Sequence, residues 1–148
     1  MPRTSLILEE SDLIITEVED LGVHEFLDTM GIALTAGDGA AAAALWEAPA
    51  FILGPQGAHG VRTASQLELF FDAGREQYNA RGVVDTRPEI IRLDEINDTV
   101  VMVRVRWPWL DEKGREVGAE TSTYTLQRND YGDWKLRVAL MHGAEALS

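Results

Sequence analysis

The most regular pattern of hydrophobic and polar positions lies in the last third of the chain. Val101, Val103, Val105, Trp107 and Trp109 alternate with Val100, Met102, Arg104, Arg106 and Pro108, the two-residue period of a strand. A polar stretch from Asp111 to Arg115 follows, then a run rich in Thr, Val and Tyr from Glu116 to Arg128, a second polar stretch from Asn129 to Asp133, and a further alternation from Trp134 to His142. Turn residues between alternating runs predict two successive hairpins, and therefore three long antiparallel strands with one greasy face.

Upstream the period changes. From Asp20 to Ala36 the residues Phe26, Leu27, Met30, Ile32, Ala33 and Leu34 make a broad apolar surface, with Glu25 and Asp28 on the wetter side, which predicts a helix. Gly37 suits its C-terminal end. Asp38 can cap a second helix over the alanine-rich run Ala40 to Trp46, whose small side chains require a neighbour packed close. Ala50 to Leu53 predicts a short strand closed by Gly54 and Pro55, and Gln56 to Gly60 a flexible loop. Thr63 with Gln66 forms a capping-box pattern for a third helix, which carries Leu67, Phe70, Phe71, Gly74 and Tyr78 at helical spacing as far as Gly82. Val83 to Leu93 is the next strand candidate, with Pro88 marking an edge or a bulge. At the other end, Leu6-Ile7-Leu8 and Leu13-Ile14-Ile15-Thr16 are separated by Glu9 to Asp12. Residues 1–19 read as an arm, either draped on the surface or covering a partner subunit or a pocket mouth, and residues 20–148 as one domain.

Composition narrows the partners. With 25 Asp plus Glu against 13 Lys plus Arg the formal charge is -12, which repels phosphate backbones and anionic lipid surfaces, so neither nucleic acid nor membrane is expected as a partner. The chain has no cysteine, hence neither disulfides nor thiolate metal sites. His24, His59 and His142 are too scattered for a local metal signature, and no phosphate loop or dinucleotide fingerprint is present, so no metal and no cofactor are expected. The apolar run before Glu9 is too short for a secretory signal or a span, and a cytoplasmic protein is the expectation.

The order helix, helix, short strand, helix and long strands acquires more meaning from particular residues. These are Leu34-Thr35-Ala36-Gly37-Asp38, Ala44-Leu45-Trp46 leading into Ala50 to Pro55, His59-Gly60 before the third helix, and Trp134 to Val138 near the end. On them the chain, from about Asp20 to Gly143, resembles the NTF2-like superfamily, which includes the ketosteroid isomerase-like and SnoaL-like (cystatin-like fold) proteins. The resemblance implies an α+β cone, in which a curved antiparallel sheet wraps an N-terminal helical layer and leaves a pocket open at one end. It also implies a homodimer through the sheet. The pattern itself asks for such a partner, because Val100 and Met102 lie on a second face that a single helical layer cannot cover. In ketosteroid isomerases a tyrosine near the end of the first helix, an aspartate ending the first short strand and a protonated aspartate on a later strand do the chemistry. The positions here that look equivalent are Met30, Gly54 and Ser122, so steroid isomerisation by that mechanism is not expected.

What the resemblance leaves is a pocket for a small, largely apolar or aromatic molecule, with Met30, Trp46, Phe51, Tyr78, Trp107, Trp109 and Leu140 as its expected lining. Lys135 and Arg137 belong in water, so parity sends His142 inward with Trp134, Leu136, Val138 and Leu140. On the preceding strand the parity of Ser122 takes Glu120, Tyr124 and Leu126 inward as well. His142 oriented by Glu120 or Glu47 would make a general acid or base near neutral pH, with Tyr124 or Ser122 polarising a carbonyl; SnoaL-like cyclases and related dehydratases use a histidine and acidic residues in this kind of cavity. Each assignment has a plainer alternative. His142 caps the strand tip, Glu120 pairs across strands with Arg104 or Arg106, and Trp107 and Trp109 are dimer contacts. The sequence thus leaves two functions: an enzyme of the polyketide cyclase, dehydratase or isomerase type, and a non-catalytic binding or dimerisation module.

Overall fold

The computed structural model describes residues 22–36, 38–55, 57–80 and 82–145, and for residues 73–80 the backbone alone. The expected arm and the side chain of Tyr78 lie outside the described residues. Helix α1, Val23–Ala36, buries Val23, Phe26, Leu27, Met30 and Ala33, the stripe that its sequence spacing demands. Asp38 then caps α2, Gly39–Ala43, accepting a hydrogen bond from the Ala41 N–H at 2.9 Å. This second helix is shorter than its alanine run, because the chain is already extended at Trp46, where strand β1, Trp46–Gly54, begins. The close packing expected of α2 is visible at Gly39. A Cβ there would lie 2.5 Å from the Asp72 carboxylate and 3.0 Å from the Glu68 carbonyl, both on helix α3, Ala64–Ala80. Replacing the cap, Asp38→Ala, is expected to cost about 1 kcal/mol, measured as a lower urea midpoint with an unchanged m-value.

Helix α3 starts with the capping box read from the sequence. The Gln66 N–H donates to Thr63 Oγ1, and Gln66 Oε1 accepts from the N–H groups of Thr63 and Arg62. Leu67 and Phe71 turn inward. Before α3, the segment expected to be a loop is a short strand, β2, Gly57–Val61, which pairs antiparallel with Ala50 to Gly54 of β1. Glycine composition argued for a loop, but Gly57 at φ 129 also permits the tight reversal that a hairpin needs. Pro88 divides the next candidate into β3, Asp85–Thr86, and β4, Glu89–Asn97, because proline cannot donate to a ladder.

The three long strands follow as β5, Val100–Leu110, β6, Glu116–Arg128, and β7, Trp134–Ala144. The sheet runs β2-β1-β7-β6-β5, and β3 and β4 both pair with the far side of β5. Every pairing is antiparallel except that of β1 with β7, which is parallel. The core lies between one sheet face and the helices. It joins Val101, Val103, Val105 and Trp107 of β5, Tyr124 and Leu126 of β6 and Leu136 of β7 to Leu27, Met30, Leu67 and Phe71. The fold is thus the expected α+β arrangement of a helical layer against one face of an open, curved sheet. Among the described residues no helix is long and apolar enough to cross a membrane.

Candidate functional site

Two regions hold the residues singled out by the sequence, one on each sheet face. On the inner face, register places Trp107 opposite Glu120, Val105 opposite Ser122 and Val103 opposite Tyr124, so Glu120, Ser122 and Tyr124 point toward the helices as expected. The Trp107 indole N–H donates to the Tyr124 hydroxyl at 2.8 Å, with the two rings edge to face. Burial pushes the Tyr124 phenol well above its ordinary range. Hydrogen bonds to Ser122 and Trp107 oppose that shift, and the nearby Glu120 charge adds to it. The phenol is therefore a neutral hydrogen-bonding group across the physiological range. Around this polar pair the expected pocket lining is packed. Met30, Trp46 and Trp107 belong to the hydrophobic core, the Trp46 ring lies 5.8 Å from that of Phe71, and Trp109 is buried over Gly118.

His142 is not there. Strand β7 begins with the predicted parity, Trp134 and Leu136 buried, but Leu136 pairs with Leu126 and Val138 with Thr125, adjacent residues of β6. Arg137 is the extra residue of a bulge, which reverses the parity beyond it. Ala139 now turns inward, while Val138 and Leu140 turn out. A second irregularity leaves His142 unmatched between the pairs Met141 with Ser122 and Gly143 with Thr121. The histidine is exposed, and its Nε2 sits 2.7 Å from Thr123 Oγ1 on the outer face. The expected pair of His142 with Glu120 is therefore not formed, since the sheet stands between them. Sequence parity failed here because Val138 to Met141 are four apolar residues in succession, compatible with either phase.

Phe51 and Leu140, also expected in a pocket, lie on the outer face and are 52% and 42% exposed. The alternative ion pair of Glu120 with Arg104 or Arg106 does not account for Arg106 either. That guanidinium is held by three other carboxylates, Glu116, Glu145 and Glu89, at 2.5, 2.8 and 3.2 Å. The bond to Arg106 keeps the Glu116 carboxyl below its ordinary value. Sequence reasoning missed this cluster because its members are far apart in the chain and meet only through strand register. Glu47, the other carboxylate considered for His142, faces Arg137 at 3.6 Å.

The outer face has its own organisation. Register lines up Phe51, Val138, Thr125 and Met102 in one row across β1, β7, β6 and β5, and Leu53, Leu140, Thr123 and Arg104 in the next. Phe51, Leu53, Met102 and Leu140 are exposed. Beside them a shallow groove of about 290 Å³ runs between Pro49, Phe51, Val100 and Val138. Arg137 also lines it, donating to the Gln127 side chain at 2.6 Å and to the Pro49 carbonyl at 3.1 Å. Chemically, the inner face offers neutral hydrogen-bonding groups within a packed core, and the outer face an apolar surface crossed by single polar groups.

The architecture recurs in solved structures. A domain of unknown function with a cystatin-like fold from Nostoc punctiforme superposes with a TM-score of 0.68 at 16% identity, over 88% of this chain and 79% of that one. A ketosteroid isomerase-like protein from Erwinia carotovora atroseptica gives 0.63 at 17% identity, over 87% and 98%. A putative calcium/calmodulin dependent protein kinase II association domain from Xanthomonas campestris gives 0.60 at 16% identity, over 99% of both chains. Likeness at such identities is likeness of fold. No curated protein matches the chain. The sequence pattern of one family does, over residues 16–144, and with the helical layer, the strand order and these neighbours it leads to one assignment: the chain belongs to the NTF2-like protein family DUF6841.

Proposed function

We propose that this chain is a non-catalytic association module, which pairs with a second copy of itself through the outer face of its sheet. The observation that carries the reading is the pair of cross-strand rows in which Phe51, Leu53, Met102 and Leu140 remain exposed. The single helical layer is spent on the inner face, and a contiguous apolar patch on a soluble domain marks an interaction surface. Two such sheets can stack face to face at about 10 Å, interdigitating these side chains. The likeness to a fold named as an association domain in Xanthomonas campestris supports the reading by analogy. The acid-base enzyme loses its support, because His142 and Glu120 face opposite sides.

A second reading, a small and largely apolar ligand on the inner side, would have Ser122, Tyr124 and half-buried Glu120 as its polar end and would require the packed side chains around them to part. Native mass spectrometry reads both. A two-chain mass at micromolar concentration is expected for the unaltered chain, and a one-chain mass for the Phe51→Glu, Leu140→Glu double variant. That variant should keep its stability to within roughly 0.5 kcal/mol per site, because both side chains already face water. A one-chain mass for the unaltered chain defeats the association reading, and extra mass from a retained small molecule turns the balance to the second.

A further inference from the structure

One titratable side chain stands in the apolar part of the outer face. His142 follows Leu140 on β7, bonds Thr123 of β6 at 2.7 Å, and lies on strands that occupy the middle of the order β2-β1-β7-β6-β5. We infer that association through this face is released by mild acid, with His142 as the sensing group. The inference rests on the outer face being the interface proposed above.

The physical basis is the cost of covering a charge. In the separated chain His142 is exposed, and water solvates the imidazolium strongly, a solvation that is lost if the charge is covered. A second sheet laid over β6 and β7 removes that water in either strand orientation, because both strands are central. A neutral imidazole tolerates this, since its nitrogen can exchange a hydrogen bond with the Thr123 hydroxyl. An imidazolium would need a carboxylate partner, without which its burial opposes association.

The charged groups around His142 do not supply one. Its strand neighbours Leu140, Met141 and Gly143 lie beside Leu53 and Gly54 of β1 and Pro55 just after it, which carry no charge. On its own strand, Arg137 takes Glu47, and Lys135 reaches the Ala44 carbonyl. Beyond Thr123 the next residue in the row is Arg104, a cation with no ion pair among the described residues. Arg92 beside it holds Asp94 at 2.8 Å. The nearest cluster of acids, Glu89, Glu116 and Glu145, is gathered on Arg106, and Glu120 faces the other side of the sheet. Among the described residues no carboxylate contacts His142: three share the Arg106 guanidinium and keep their excess negative charge there, while an unmatched arginine shares the row of the hydroxyl that holds His142. Histidine is the side chain that ordinarily changes charge between pH 5 and 8, so association should weaken as pH falls through that window.

The test is sedimentation equilibrium of the full chain at pH 7.5 and pH 5.5, with circular dichroism to confirm the fold at the lower pH, or at pH 6.0 should the fold be lost at 5.5. The dimer dissociation constant is expected to rise at least tenfold in acid. His142→Gln, which keeps a neutral hydrogen-bonding group beside Thr123, is expected to dimerise with a constant that changes less than threefold. His24→Gln with His59→Gln should retain the full response, since His24 lies against Asp28 on α1 and His59 pairs with Ile52 at the sheet edge. A dimer equally tight at both pH values, or an acid response that survives His142→Gln, overturns the inference and leaves the interface standing. A chain that is monomeric at pH 7.5 overturns the interface and the inference together.

Discussion

Trp107→Ala is expected to destabilise the fold by about 3–5 kcal/mol, the range for truncating a large aromatic in a packed core. Trp107 is 3% exposed and meets both α1 and β6. Its ring lies under α1, where a Cβ on Gly31 would be 3.1 Å from it, and its N–H satisfies Tyr124 on β6. The substitution leaves a cavity between α1 and the sheet and removes a hydrogen-bond partner from a buried phenol. Chemical denaturation followed by tyrosine and tryptophan fluorescence measures the loss. Trp107→Phe should recover most of the packing and still lack the hydrogen bond, falling between the two. A loss below about 1 kcal/mol for the alanine variant would mean that this region is an open pocket rather than a filled core.

Gly118→Val should cost roughly 1–3 kcal/mol by overpacking. Gly118 pairs directly with Trp109, and a Cβ there would sit 2.6 Å from the indole ring. The ring is buried and has little room to retreat. A Trp109→Leu change in the same chain should relieve part of the added cost, so the double variant is expected to be more stable than the sum of the singles predicts. Additive losses would show that the glycine is kept for some other reason than the ring above it.

How much of this was legible beforehand depended on whether each element's pattern was local. The inner face of β5 could be read residue by residue, because its register with β6 stays regular from Val100 to Trp109 and alternation survives. The Asp38 cap and the capping box of Thr63 and Gln66 were legible because they are contacts within four residues. Strand β2 was not, since its composition is that of a loop and only its pairing partner makes it a strand. The candidate site failed for a related reason. One inserted residue, Arg137, reverses the direction of the side chains from Val138 to Met141, and the apolar character of that run conceals the change. The outer-face rows were beyond reach altogether, because they need the parallel pairing of β1 with β7, which no short-range signal announces.

That parallel pairing also sets a schedule. The contact of Arg137 with the Pro49 carbonyl closes a separation of 88 residues, whereas β5, β6 and β7 each find a partner next to them in the chain. On a ribosome adding about 5–20 residues per second, the hairpin of β1 and β2 waits roughly 4–18 s for its other neighbour. Through that interval one edge of β1, with Phe51 and Ile52 upon it, has unpaired backbone groups and apolar side chains in water. The nascent chain is most exposed to misassembly there, and non-local closure of this kind is the slow step of sheet formation. Recombinant yield should therefore depend on synthesis rate and on chaperones that shield extended apolar segments more than on the stability of the finished fold.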